Sequence, residues 1–198
     1  TNTEGQSEDP NEGPVRFPAG DFGVVNYAYA LEQLEAAFYT RVIASFYAGA
    51  STEEQTILTD IKKHEVVHRE FLKAALGGNA IADLRFDFSS VNFGNRESVL
   101  QTARTFEDLG VSAYNGAARF LSDPNLLLVA GKIVSVEARH AAAIRDLLRP
   151  RTRYFAGDDV VNRKTGLDVF NRPTRVARIA APFFRRRFDL STLPGSDR

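Results

Sequence analysis

Four segments of the chain place apolar residues three and four positions apart, which is the spacing of one face of an α-helix. This spacing predicts helices over residues 22–48, 52–76, 96–121 and 124–148. Residues 79–95 lose the helical period and alternate aromatic with polar side chains, which predicts an extended segment. An extended crossover of that length can span a whole helix, so the second and third helices are expected to run parallel. The pattern predicts an all-α four-helix bundle with a long crossover between its second and third helices.

Capping residues predict where three of these helices begin. Asp21 is the expected N-cap of the first helix, because its carboxylate can accept from the free N–H groups of the first turn. A capping box that starts at Ser51 or Thr52 is expected to begin the second helix. Asp123 followed by Pro124 is a start signal for the fourth helix, since proline suits the first helical position. The capping signals and the apolar pattern therefore agree on these starts.

The chain divides into three parts at these boundaries. Residues 1–16 are polar and predict a flexible linker, residues 17–150 hold the bundle, and residues 151–198 predict an irregular C-terminal arm. A short helix is expected in the arm from residue 173 to about 181. The arm is basic, because residues 149–198 carry twelve Lys or Arg against five Asp or Glu. An arginine-rich arm most often pairs with acids of its own fold or of a partner subunit, although binding to nucleic acid or to an anionic membrane stays open.

Composition removes several classes of site. The chain has no cysteine, so disulfides, zinc fingers, iron–sulfur clusters and thiol catalysis are excluded. Methionine is absent too, which rules out the methionine ligation of haem that some helical bundles use. The chain has no run of about 18 uncharged apolar residues, so a membrane span is not expected. The missing initiator Met and the polar first residues favour an exported or periplasmic protein.

Two of the three histidines in the chain follow a glutamate by three positions. The pairs are Glu65 with His68 and Glu137 with His140, each inside the apolar pattern of a predicted helix. Residues three apart on a helix share one face about one turn from each other, so a carboxylate oxygen and an imidazole nitrogen can reach the same metal ion. Both pairs are therefore candidate metal ligands.

An internal repeat adds a second carboxylate to each pair. Glu32 and Glu107 lie 33 and 30 residues before the first residue of the two Glu-x-x-His motifs. Each of them is followed seven positions later by a tyrosine, Tyr39 or Tyr114. The repeat predicts two helical hairpins that each carry half of one site. Tyr39 and Tyr114 are expected to donate hydrogen bonds to the ligating carboxylates across the bundle.

Burying these six side chains between apolar helices is costly unless they have a partner. Four carboxylates and two imidazoles would repel one another and lose solvation worth several kcal/mol per charge. Two divalent cations carry as much positive charge as the four glutamates carry negative charge, so charge balance favours a dinuclear site. Carboxylate and imidazole ligands without thiolate suit iron or manganese, with zinc as a possible occupant in vitro.

Four segments resemble the helices of the ferritin-like superfamily, in particular of its desiccation-related branch: NYAYALEQLEAAFY, HEVVHREFL, FEDLGVSAY and VEARHAAAIRDLL. The resemblance covers roughly residues 20–150 and implies a site of two iron or manganese ions. The ligand set that it implies consists of bridging Glu65 and Glu137, terminal Glu32 and Glu107, and the nitrogen ligands His68 and His140.

The resemblance also implies a function. Members of this superfamily oxidise Fe(II) with oxygen or hydrogen peroxide, or dispose of peroxide, and members of this branch are associated with stress tolerance. We therefore expect a di-iron oxidoreductase that protects against oxidative or drying stress and forms a homo-oligomer, a dimer or larger. Two alternatives stay open. One is manganese-dependent dismutation of peroxide, and the other is a non-catalytic protective protein with a structural metal and a basic arm that binds a partner, DNA or a membrane.

Two neighbours of the candidate ligands have more than one interpretation. Glu35 lies one turn after Glu32 on the same helical face and competes with it as a ligand. The repeat favours Glu32, because Glu35 aligns with Gly110, but Glu35 as a ligand or as an acid beside the ligands stays open. His64 precedes a candidate ligand but points about 100° away around the helix, which favours a surface or interface position over a role beside the metal.

Overall fold

The computed structural model describes residues 13–196 and contains a bundle of four long helices. Its helices are α1 (Asp21–Ala44), α2 (Thr52–Leu76), α3 (Arg96–Ala117), α4 (Pro124–Leu148) and a shorter α5 (Pro173–Ala180). Two short strands, β1 (Val15–Arg16) and β2 (Phe188–Asp189), pair in parallel. The fold is therefore all-α in its main body, which confirms the fold class predicted from the apolar spacing.

The starts of α2 and α4 are set by hydrogen bonds of their capping residues. At α2, the Ser51 hydroxyl accepts from the backbone N–H of Glu54 at 3.1 Å, and the Glu54 carboxylate accepts from the backbone N–H of Ser51 at 2.8 Å. At α4, the Asp123 carboxylate accepts from the backbone N–H of Asn125 at 2.8 Å. Both helices have the predicted bounds, and they begin at the predicted residues because each capping residue satisfies N–H groups that a first turn leaves free.

The first helix begins differently from the prediction. Its N-cap is Gly20, whose φ of 68° favours glycine, and Asp21 is the first helical residue. The Asp21 carboxylate instead accepts hydrogen bonds from the backbone N–H groups of Ser122 and Asp123, at 2.9 and 2.8 Å. The prediction of Asp21 as an N-cap was wrong because its carboxylate satisfies donors in the loop before α4, a pairing that only the tertiary fold provides.

Helices α1 and α3 end earlier than predicted. Helix α1 ends at Ala44, four residues short of the predicted end, since Ser45 is extended and Tyr47 turns into the core, where it is 2% exposed. Helix α3 ends at Ala117 and is followed by a 3₁₀ turn over Ala118–Phe120. Neither helix has a glycine directly after its last residue, so the apolar pattern ran past both ends without a stop signal.

Helices α2 and α3 run in the same direction. Arg96, the first residue of α3, donates from Nε to Glu54 Oε1 in the first turn of α2 at 2.6 Å. It also donates from Nη2 to the carbonyl oxygen of Leu147, near the end of α4, at 2.7 Å. Residues 80–95 therefore return along the length of the bundle, and Phe88 on this segment is buried. This segment is the long crossover that the sequence predicted.

The C-terminal arm lies on the bundle and on the crossover. Helix α5 buries Val176, which is 0% exposed. The Arg185 guanidinium donates to the carbonyl oxygen of Phe86 in the crossover, and that of Arg186 donates to the carbonyl oxygen of Gly13. The chain's own backbone therefore engages these basic side chains.

A buried arginine ties the start of the arm to the bundle. The side chain of Arg145 on α4 is 1% exposed and donates two hydrogen bonds each to Asp108 of α3 and Asp159 of the arm. It also donates to the carbonyl oxygen of Tyr154, whose ring centroid lies 4.8 Å from the guanidinium. All five N–H groups of the guanidinium are thus used. We call Arg145, Asp108 and Asp159 the arginine cluster.

The predicted N-terminal linker lies mostly outside the described residues. It was expected over residues 1–16, of which 1–12 are not described and Val15–Arg16 form β1. Strand β1 pairs with β2, so the two ends of the described chain lie side by side.

Among the described residues, no helix has both the length and the apolar character that crossing a membrane requires.

Candidate metal centre

Six side chains from the four long helices meet in the middle of the bundle. They are the candidate ligands of the sequence analysis: Glu32 from α1, Glu65 and His68 from α2, Glu107 from α3, and Glu137 and His140 from α4. All four carboxylate side chains are 0% exposed. Each ligand lies near the middle of its helix, because the apolar faces that carry these residues turn toward the bundle axis.

The candidate ligand atoms form two groups that share two carboxylates. The first group is Glu32, Glu65, His68 and Glu137, and the second is Glu65, Glu107, Glu137 and His140. In each group, one nitrogen or oxygen atom from every member lies within 4.8 Å of the others. Each group offers three carboxylates and one imidazole, and the shared carboxylates place the two groups side by side.

The shared carboxylates connect the two hairpins. Glu65 Oε1 on α2 lies 2.7 Å from Nδ1 of His140 on α4. Glu137 Oε1 on α4 lies 3.0 Å from Nδ1 of His68 on α2. The glutamate of each Glu-x-x-His motif therefore lies next to the histidine of the other motif. This arrangement agrees with the internal repeat, which predicted that each hairpin carries half of one site.

A tyrosine of the opposite hairpin holds each unshared carboxylate. The Tyr39 hydroxyl donates to Glu107 Oε1 at 2.5 Å, and the Tyr114 hydroxyl donates to Glu32 Oε1 at 2.6 Å. The remaining Oε2 atoms of Glu32 and Glu107 face the imidazole of their own hairpin, at 3.4 and 3.5 Å. Each tyrosine thus fixes one oxygen of a carboxylate and leaves the other directed at the site. The repeat led us to expect these two hydrogen bonds.

Eight buried nitrogen and oxygen atoms at the site have no hydrogen-bond partner in the described part of the chain. They are both oxygens of Glu65 and of Glu137, Oε2 of Glu32 and of Glu107, and Nδ1 of His68 and of His140. The imidazole nitrogens approach carboxylate oxygens at 2.7 to 3.9 Å, but none of these approaches has hydrogen-bond geometry. An unpaired buried polar atom costs about 1–3 kcal/mol, so such atoms are rare. Their convergence from four helices fits metal cations.

His68, His140 and Glu65 of the cluster have raised pKa values when no cation is bound. Burial lowers the pKa of His68, but its contacts with Glu137, Glu32 and Glu65 outweigh burial and raise the pKa to about 12. Burial also lowers the pKa of His140, but its interactions with Glu107 and Glu65 outweigh burial and raise the pKa to about 11. Burial raises the pKa of Glu65 to about 7. Metal ligation needs ionised carboxylates and neutral imidazoles, so divalent cations would displace these protons.

Glu35 lies beside the cluster but belongs to neither ligand group. It is 2% exposed, and burial, followed by repulsion from Glu137, raises its pKa well above the ordinary value. Gly110 on α3 makes room for it, since a Cβ atom there would lie 3.1 Å from Glu35 Oε1 and 3.2 Å from Glu137 Oε2. The structure therefore brings Glu32 into a ligand group and leaves Glu35 as an acid next to it.

His64 contacts the site, although the sequence favoured a surface or interface position. Its side chain is exposed, yet its ring stacks on His140 with 5.1 Å between centroids and 6° between planes. His64 Nδ1 lies 2.9 Å from Nε2 of His140, whose Nδ1 faces the carboxylates. A projection of α2 alone missed this contact because the partner comes from α4. The sequence did carry one indication of this contact. The chain has only three histidines, and all three lie together at the candidate metal centre.

The fold and this cluster together define a class of protein. A four-helix bundle with two inward Glu-x-x-His motifs and a carboxylate from each of the other two helices is a helical protein with a candidate site for a pair of metal ions. A family model described as a ferritin-like domain matches residues 20–150, about two-thirds of the chain. The chain belongs to this ferritin-like family. No curated protein matches it, and its place in the desiccation-related branch stays a prediction.

Proposed function

We propose that this protein binds two iron ions between its four helices and oxidises Fe(II) with oxygen or hydrogen peroxide. One observation carries the proposal: eight buried atoms without hydrogen-bond partners among the described residues form two groups that share two carboxylates. Buried carboxylates without a counter-charge are strongly unfavourable, so a cluster of this kind is best explained by cations that occupy it.

The two groups assign a role to each side chain. Glu65 and Glu137 belong to both groups and would hold both ions, and the tyrosines hold the unshared carboxylates in place. Glu32 and His68 would hold one ion, and Glu107 and His140 would hold the other.

When bound, iron would supply one-electron redox chemistry, in which two Fe(II) ions, one O₂ and two protons would give two Fe(III) ions and one H₂O₂. With hydrogen peroxide as the oxidant, the same two electrons and two protons give two water molecules. The protein contributes position and exclusion of water. Its four carboxylates are 0% exposed, so bulk water is kept away from the ligand atoms.

The ligand types favour iron or manganese over zinc. Each group has three carboxylates and one imidazole and no thiolate, which suits these metals. Manganese-dependent dismutation of peroxide is the second redox candidate. Elemental analysis of the purified protein, together with oxygen release from hydrogen peroxide, distinguishes manganese dismutation from iron oxidation.

Metal stoichiometry in matched variants tests the proposal. Anaerobic titration of the apo-protein with Fe(II) should reach two ions per chain, and admission of oxygen should produce a ferric absorption band. Glu65→Ala should lose tight binding of both ions, because Glu65 belongs to both groups. Glu32→Ala should keep one ion, because the second group does not contain Glu32. Glu70→Ala is the control, since Glu70 lies exposed on the same helix as Glu65.

The outcomes separate the candidate functions. Equal rates of Fe(II) oxidation in wild type and Glu65→Ala would reject the ferroxidase proposal. Two bound ions without oxidation by either oxidant would favour the non-catalytic alternative, in which the metal is structural.

Protection from oxidative or drying stress follows from the same chemistry. Fe(II) that is oxidised inside the bundle is no longer available to reduce hydrogen peroxide to hydroxyl radicals. A strain that lacks the protein should be more sensitive to drying and to peroxide, and wild type should rescue it whereas Glu65→Ala should not. Equal rescue by both proteins would separate any protective role from the metal centre.

A further inference from the structure

A cavity lies between the four long helices, about one helical turn from the metal centre. Ala28 of α1, Leu72 of α2 and Ile133 of α4 line it. Each of the three is four residues from a candidate ligand on its own helix, a separation of about 6 Å along the helix axis. The cavity therefore extends from the metal centre toward the end of the bundle where α1 and α4 begin.

The cavity is bounded by one side chain that contacts a candidate metal ligand and by another that is exposed at the protein surface. Tyr114 lines it and donates its hydroxyl to Glu32 Oε1 at 2.6 Å, which connects the inner end to a candidate ligand. Phe71 on α2 also lines it and is 48% exposed, so this ring marks the outer end. A small molecule in the cavity would thus lie between solvent and the metal centre.

The lining disfavours a polar occupant. Among the lining residues, only Tyr27 and Tyr114 carry a polar side-chain atom. The Tyr114 hydroxyl is already committed to Glu32, which leaves the buried hydroxyl of Tyr27. A buried water needs about two to four polar partners, and hydrogen peroxide has comparable needs, so both would lose hydrogen bonds on entry. Dioxygen needs no such partner.

The size of the cavity limits its occupant further. Its free volume is about 30 Å³, which accommodates one or two molecules the size of water. An apolar diatomic gas is small enough for the cavity and needs no hydrogen bonds from its apolar lining.

We propose that this cavity is a binding site for dioxygen and that dioxygen, rather than hydrogen peroxide, is the oxidant of the metal centre. The inference rests on the proposed function and narrows it. Dioxygen from the cavity takes one electron from each of two Fe(II) ions together with two protons, which gives two Fe(III) and one hydrogen peroxide.

Xenon tests the cavity without any redox chemistry, because it is apolar and binds dry sites lined by aliphatic and aromatic side chains. Metal-free wild type should show a xenon site in the cavity, by xenon NMR and in crystals under xenon pressure. Ala130→Leu adds three carbons to a lining residue of α4 and should abolish this site. Ala142→Leu is the matched control, since Ala142 lies on the same helix but lines a different pocket.

Oxidation kinetics test whether the cavity supplies the metal centre. Fe(II)-loaded protein should be mixed rapidly with oxygen or, separately, with hydrogen peroxide. Ala130→Leu should slow oxidation by oxygen about tenfold and change oxidation by hydrogen peroxide less than about twofold. Ala142→Leu should behave as wild type with both oxidants. Ala130→Val, a smaller change at the same position, takes the place of Ala130→Leu if the larger side chain prevents folding.

Two results would overturn the inference. The first is the absence of xenon from the wild-type cavity, and the second is equal slowing of both oxidants in Ala130→Leu, which would indicate a general disturbance of the site. If wild type oxidises Fe(II) with neither oxidant, the proposed function fails, and xenon binding alone then decides whether the cavity is a gas site.

Discussion

The arginine cluster and the candidate metal centre both bury charged side chains of α3 and α4, but only the arginine cluster satisfies its charges within the described part of the chain. Glu107 and Asp108 are neighbours on α3, yet Glu107 faces the metal centre and Asp108 pairs with Arg145. In the arginine cluster, every N–H group of the guanidinium has an acceptor within the chain. In the metal centre, eight polar atoms have no hydrogen-bond partner among the described residues.

This difference distinguishes a structural ion pair from a candidate binding site. A buried charge that the chain itself satisfies stabilises the fold, and its removal leaves an unpaired partner behind. Buried charges that the chain does not satisfy are costly unless something else binds them. We therefore expect variants of the arginine cluster to lower the stability of the metal-free protein without changing metal binding, and variants of the candidate metal centre to weaken metal binding.

The largest effect is expected in the arginine cluster. Arg145→Met should lower the free energy of unfolding by about 3 kcal/mol, because it leaves Asp108 and Asp159 facing each other without a counter-charge. The estimate is at the low end of the usual range since Asp159 is 56% exposed. Arg149→Met is the control, because the exposed Arg149 also stacks on the ring of Tyr154, at 4.7 Å, and should cost less than about 0.5 kcal/mol. Urea denaturation of the metal-free proteins measures both changes.

The Arg145→Met variant also tests whether the arginine cluster affects metal binding. Arg145→Met should still bind as many metal ions as wild type. A loss of metal ions in this variant would contradict the separation between the two clusters.

A slightly smaller change in the free energy of unfolding is expected when Mn(II) is added to the wild type. Mn(II) at a free concentration about 100 times its dissociation constant should raise the free energy of unfolding by about 2.7 kcal/mol, because it binds only the folded chain. Glu65→Gln should show no such increase, since both ligand groups include Glu65. Urea denaturation with and without Mn(II), followed by addition of a chelator, checks the effect. An equal increase in the variant would place the stabilising ions elsewhere.

The tyrosine contacts should have an effect of intermediate size on metal affinity. Tyr39→Phe removes the hydroxyl that holds Glu107, so affinity should fall about tenfold while the number of bound ions stays the same. Tyr27→Phe is the matched control, because Tyr27 is also buried but its hydroxyl has no hydrogen-bond partner among the described residues. Calorimetric titration with Mn(II) compares the two variants. Equal losses would assign the effect to packing rather than to the hydrogen bond.

The smallest effect is a pH dependence of the arginine cluster. The hydrogen bond from Arg145 holds the pKa of Asp159 below its ordinary value of 3.8. A carboxyl group with a lowered pKa stabilises the fold above its ordinary pKa, and this stabilisation is lost as the pH falls through the lower pKa of the folded state. The difference in unfolding free energy between wild type and Arg145→Met should therefore shrink between about pH 5 and pH 2. A difference that stays constant over this range would exclude Asp159 from the cluster's contribution.

The apolar pattern predicted the helices that carry the site because each helix is a local structure. The bounds of α2 and α4 matched where a capping residue and a stop signal flanked the pattern. The end of α1 at Ala44 did not match, because the backbone leaves the helix there to bury Tyr47, and that gain depends on the rest of the core.

The candidate ligands were also accessible from the sequence, for a geometric reason. A spacing of three on a helix fixes which side chains share a face, so Glu65 with His68 and Glu137 with His140 were recognisable without knowledge of their partners. The contact of His64 with His140 was not recognisable, because it joins two helices whose relative rotation the spacing does not determine.

The sequence by itself thus determined the helices, the faces that they bury and the side chains that those faces carry toward the axis. Only the tertiary structure decided which buried charges have partners within the chain, as Arg145 does, and which have no hydrogen-bond partner among the described residues, as is the case for Glu65 and Glu137. It alone also formed the apolar cavity beside Tyr114. The physical reason is that helical periodicity depends on neighbours along the chain, whereas hydrogen-bond partners and cavities depend on distances between residues that the chain brings together only when it folds.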